Sequence, residues 1–135
     1  MKQEKSCGAV IFREKNTRRY YLVLKSTLGH TTLCKGHVEG DETEHETAVR
    51  EIREETGLAV DFVDGFREVI AYSPRPGVTK DVVFFLARAR GGDVVCQPEE
   101  VADARFLPFE EAAELLTHPS DREVLQKARA FLERG

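Results

Sequence analysis

Apolar residues come in short runs bounded by polar turns, and their period changes along the chain. Residues 6–13 (SCGAVIFR) and 20–25 (YYLVLK) are rich in β-branched and aromatic side chains and predict two strands, joined by the polar turn Glu14-Lys15-Asn16-Thr17. Residues 27–42 read as a Gly- and Thr-rich loop. Residues 43–56 take a helical period. Thr43 with Glu46 three positions on forms a capping box, and Gly57 stands where a left-handed C-terminal cap belongs. Strands follow around 61–72 and 80–89, separated by the turn former Ser73-Pro74-Arg75-Pro76-Gly77. A short strand near 104–107 leads into a helix over 109–116, and an amphipathic helix runs over about 120–133. No repeat, low-complexity tract or linker interrupts the pattern, so residues 1–135 are expected to form one domain. The irregular mixture of hairpin-like strand pairs and helices predicts an α/β fold, a mixed sheet covered by helices.

Composition narrows the function classes. With 135 residues, 41% of them apolar and 33% charged, the chain is neither a disordered tail nor a membrane protein. Its longest apolar run, residues 82–87, falls far short of the roughly 18 needed for a membrane span. Residues 1–6 lead straight into a strand, so no secretory leader is expected. Cys7, Cys34 and Cys96 are odd in number and lack CxxC spacing, which fits a reducing cytoplasm better than a disulfide framework or zinc site. A net charge of −4 argues against bulk capture of nucleic acid. The charge is unevenly placed: residues 35–58 hold eight acids against three bases, leaving the remainder at +1.

Within that window the helix carries its acids on one side. Advancing about 100° per residue puts Glu51, Glu54 and Glu55 within an arc of about 100°, beside an apolar stripe of Ala48, Val49 and Ile52. Like charges at these spacings destabilise a helix unless something neutralises them. A hard divalent cation such as Mg²⁺ or Mn²⁺ does so, since it prefers carboxylate, water and phosphate oxygens.

The spacing extends the point. Gly36, Glu42 and the run Arg50-Glu51-Ile52-Arg53-Glu54-Glu55-Thr56-Gly57-Leu58 resemble the Nudix box of MutT-type hydrolases, G-x5-E-x7-R-E-U-x-E-E-x-G-U, with every defined position filled. Cys7-Gly8-Ala9-Val10-Ile11-Phe12, Lys35-Gly36-His37-Val38-Glu39 and Gly65-Phe66-Arg67-Glu68 are further similar to the asymmetrical diadenosine tetraphosphate hydrolases over nearly the whole chain. The resemblance implies a Nudix-like α/β/α sandwich and divalent-metal-dependent hydrolysis of a phosphoanhydride bond, with diadenosine tetraphosphate giving ATP and AMP. It implies Glu51 and Glu55 as main metal ligands, Glu54 as a ligand or the base acting on water, the Gly36 carbonyl as a further ligand, and Glu100 on a later loop reaching the metal. Arg50 would orient Glu54, and Glu42 would support the loop. Lys35 and His37 would flank the phosphates, Lys80 would bind the polyphosphate chain, and Tyr72 and Phe131 would sandwich an adenine.

The chain departs from the family's G-x-W-x-x-P-K-G segment: Thr31 replaces the tryptophan and Cys34 the proline. Losing the fixed φ of proline should loosen this loop before substrate arrives. Cys34 itself reads as either a buried inert thiol or a redox-sensitive one near the site. Other substrates in view are a 5′-triphosphate RNA end, a nucleoside triphosphate or a diphosphoinositol polyphosphate; a non-catalytic nucleotide sensor is the alternative class. A small nucleotide is the partner implied. No membrane, protein partner or nucleic acid is expected beyond such an RNA end.

Overall fold

The computed structural model describes residues 2–95 and 101–134. Its elements are β1 (Lys2–Lys15), β2 (Arg18–Ser26), β3 (Thr31–Thr32), β4 (Cys34–His37), α1 (Glu44–Thr56), β5 (Val60–Phe62), β6 (Glu68–Arg75), β7 (Val78–Ala89), β8 (Val101–Leu107), α2 (Phe109–Leu115) and α3 (Pro119–Arg134). The strands form one mixed sheet in which β1 and β7 run parallel at the centre, while the other pairings are antiparallel. Strand β2 carries β3 and β8, β1 also carries β4, and β7 carries β5 and β6.

Helices cover both faces, which is why β7 can bury the unbroken run Val82 to Ala87. Strand alternation divides the core in two. Val10, Phe12, Val82, Phe84 and Leu86 pack with Ala112, Leu116, Val124, Leu125 and Ala128 of the α2–α3 layer. Cys7, Ala9, Ile11, Val83, Phe85 and Ala87 pack with Ala48 and Ile52 of α1. The mixed α/β sheet between helices therefore appears as the pattern predicts.

Several boundaries differ from that pattern. The turn between β1 and β2 shrinks to Asn16-Thr17, both at positive φ (53° and 65°), as a two-residue hairpin requires. The single strand expected at 61–72 is two, β5 and β6, lying end to end along β7 and interrupted at residues 63–67, where Gly65 takes φ 95°. The loop expected at 27–42 contains β3 and β4, too short for periodicity to reveal and held by partners elsewhere in the chain.

Candidate active site

Helix α1 is fixed at both ends by its own sequence. Thr43 accepts from the Glu46 amide, Glu46 accepts from the Thr43 amide, and Gly57 at φ 72° donates its N–H to Arg53 O at 2.9 Å. The apolar side is buried through Thr47, Ala48 and Ile52, which turns Glu51 and Glu55 toward β4 and leaves Glu54 more exposed.

Strand β4 meets this helix with alternate residues. Cys34 is buried, and its Sγ donates to Glu55 Oε1 at 3.2 Å. Burial, with Glu55 beside it, pushes the thiol well above its ordinary range, so it remains a proton donor. Gly36 lies against Glu51 so closely that any β-carbon there would overlap the carboxylate. Gly8 likewise leaves no room for a side chain against the Cys34 carbonyl, which lets β4 approach β1.

Arg50 ties these parts together. Its Nε donates to Glu42 Oε2 at 2.7 Å, its Nη1 to Glu51 Oε1 at 2.9 Å and Glu54 Oε2 at 3.2 Å, and its Nη2 to the His37 carbonyl at 2.8 Å. The ion pair with Glu54 matches the sequence expectation; the contacts to Glu51 and β4 were not legible in it. Glu42 also accepts from the Glu39 amide and the Thr47 hydroxyl, and the Arg50 guanidinium chiefly holds its carboxyl down to about 2.

Lys35 and His37 alternate to the opposite face of β4, the side of α3. There His37 stands in register with Ser6, Glu4 with Lys80, and Lys80 with Tyr72. Lys80 is 8% exposed, and burial followed by the nearby Lys35 lowers its pKa. Burial and then Lys80 do the same to His37. The Ser6 hydroxyl is buried without a hydrogen-bond partner among the described residues. The desolvated Lys80 ammonium, with Lys35 near it and an unanswered hydroxyl on the same face, suits an anion.

Tyr72 is half-exposed on this face. Phe131 packs its ring edge-on against Phe66 at 5.7 Å and lines a 710 Å³ cavity with Gly65, Arg67, Glu68 and Lys127. Tyr72 is not part of that lining. Glu100 lies outside the described residues.

The oxygen donors Glu51, Glu54, Glu55 and the Gly36 carbonyl suit a hard divalent cation, and the missing side chain at Gly36 lets the Glu51 carboxylate lie against the strand. Among the described residues no three His, Cys, Asp or Glu side chains are drawn tightly enough together to hold an ion as they stand. Arg50 pairs with both Glu51 and Glu54. No described helix is long and apolar enough to cross a membrane.

The NUDIX domain family matches residues 2–128. The asymmetrical bis(5′-nucleosyl)-tetraphosphatase of Mus musculus is 34% identical over 95% of both chains, and that of Sus scrofa 33% identical over the same shares. The crystal structure of a C. elegans Ap4A hydrolase binary complex superposes with a TM-score of 0.90 at 27% identity, covering 98% of this chain and 99% of that one.

Proposed function

The chain belongs to the Nudix hydrolase family, and we propose that it hydrolyses the bridge of a dinucleoside tetraphosphate off-centre, splitting diadenosine tetraphosphate into ATP and AMP. The observation that carries this reading is the alternation of β4, which turns Cys34 and Gly36 to the α1 carboxylates and Lys35 and His37 to the face of Lys80 and Tyr72. A polyphosphate lying across this short strand meets cations on one side and carboxylates on the other. The names of the mammalian and nematode relatives support the same substrate.

Nudix hydrolases act with a divalent cation; here Glu51, Glu54, Glu55 and the Gly36 carbonyl, with Glu100, would hold Mg²⁺ or Mn²⁺, which offsets phosphate charge and makes water more acidic. Lys35, His37 and Lys80 bind and orient the phosphates, so that charge developing in the transition state meets fixed donors. Arg50 holds Glu51 and Glu54 in place and keeps β4 at their side. These carboxylates are the bases able to take the proton of the attacking water. Its oxygen ends on one product phosphate, and the bridging oxygen leaves with the other. Tyr72 and Phe131 are assigned to the adenosine end, where the position of the base relative to Glu51 and Glu55 sets which bond breaks. One domain acting in the cytoplasm on a small nucleotide accords with the cysteine usage and charge balance.

The test is chromatographic separation of products from diadenosine tetraphosphate, run beside ATP and a triphosphorylated RNA. ATP with AMP is the expected outcome. Two ADP as the main product overturns the off-centre geometry, and faster release of pyrophosphate from RNA replaces the substrate.

A further inference from the structure

The segment leading into β4 is tied down from outside. Thr117 N–H donates to Thr31 O at 2.9 Å, and Thr31 N–H donates to Thr117 Oγ1 at 2.8 Å. Two residues on, Leu33 N–H donates to Asp121 Oδ2 at 3.3 Å. The His30 and His118 rings lie 5.7 Å apart, tilted by 60°, at the same seam. Thr32, between the two anchored amides, pairs with Leu24 of β2. The strand is thus held by β2 on one edge and by the α2–α3 connection on the other.

Asp121 is the unusual member of this seam. It is 2% exposed in the first turn of α3, and burial pushes its carboxyl pKa up. An acid serving only the helix dipole does so from the surface, without the cost of losing water. The buried carboxyl is directed instead to a main-chain amide two residues before Lys35 and three before Gly36. In this chain Thr31 and Cys34 occupy the places of the tryptophan and proline that the related pattern uses, and the seam supplies a restraint they do not.

We propose that Asp121 is a positioning residue of the active site: by anchoring the Leu33 amide it sets where Lys35 presents its ammonium and Gly36 its carbonyl. What it positions rests on the hydrolase reading; the anchor itself does not. Asp121→Asn keeps an acceptor oxygen, whereas Asp121→Leu fills similar space without one.

Three measurements decide the matter: residue-resolved amide hydrogen exchange, titration of the nucleotide-free protein with Mn²⁺, and kcat and KM on diadenosine tetraphosphate. Losing a hydrogen bond to a carboxyl should speed Leu33 exchange and raise KM about tenfold each in Asp121→Leu. Mn²⁺ binding should weaken, Thr31 exchange should stay as it is because Thr117 still holds it, and Asp121→Asn should recover all three losses. A leucine variant that melts earlier but keeps wild-type Leu33 exchange and KM reduces Asp121 to a structural residue and overturns the proposal. So does an asparagine variant as impaired as leucine, which would assign the effect to charge. If the leucine variant does not fold, Asp121→Ser, too short to reach Leu33, takes the same measurements. If the unaltered protein leaves diadenosine tetraphosphate intact, the hydrolase reading fails, while exchange and Mn²⁺ affinity still decide the anchor.

Discussion

The carboxylate of Glu51 occupies the space in which a side chain on Gly36 would have to stand. A residue of α1 and a residue of β4, fifteen positions apart in the chain, therefore form one surface, and the identity of each limits the other.

Gly36→Ala should displace Glu51 without unfolding the domain, because β4 remains paired with β1 through Ser6 to Ala9. A shift of about 1 Å at a reacting site costs on the order of 10² in rate. Steady-state kcat should fall by that factor with circular dichroism unchanged; activity close to wild type would separate Gly36 from the site.

Chelation by EDTA should abolish turnover, and added Mg²⁺ or Mn²⁺ should restore it. Glu55→Gln keeps shape and removes one charge, so kcat should drop by about 10² or more while Tm changes little. Glu55 also receives the Cys34 thiol at 3.2 Å, and an amide oxygen still accepts that proton. Full activity of this variant would remove Glu55 from the assigned ligands.

Lys80→Ala should raise KM for diadenosine tetraphosphate. Lys80 as a whole is 8% exposed, so salt should screen it less than a surface cation and the defect should fade less as ionic strength rises. Tyr72→Ala removes an aromatic platform worth ~1–3 kcal/mol per base and should raise KM by roughly 5- to 150-fold with kcat nearly constant. Michaelis constants at two salt concentrations check both, and an unchanged KM returns Tyr72 to an ordinary strand residue.

Acid stability should follow Glu42 and Glu44. Arg50 and the Glu39 amide hold Glu42 at about 2, and Arg67 and Lys5 hold Glu44 at about 2, against an unfolded value of 4.5. Because the folded values are lowered, their stabilisation is present above pH 4.5 and is lost as pH falls toward about 2, where the folded carboxylates also take up protons. Urea unfolding across that window should show a flatter decline in Glu44→Gln than in the unaltered protein. Parallel curves would show that these pairs do not differ between the folded and unfolded states.

Much of the site was legible in the sequence because α1 is a local object. Thr43, Glu46 and Gly57 set its ends, Ala48 and Ile52 set its buried side, and a fixed rise and rotation then place Glu51, Glu54 and Glu55 with no help from the rest of the chain. The longer strands β1, β2 and β7 were legible for the same reason, each announcing itself by an apolar run such as Val82 to Ala87. What the sequence could not determine is everything that depends on two segments meeting. Strand β4 exists only because β1 pairs with it, so its sorting of Cys34 and Gly36 from Lys35 and His37 had no periodic signal in four residues. The burial of Lys80 comes from its neighbours on the sheet and the cover of other elements, not from its place in a strand. The anchor from Asp121 to Leu33 spans 88 positions. Local periodicity carries no term for such a contact, which forms only once α3 has packed on the sheet.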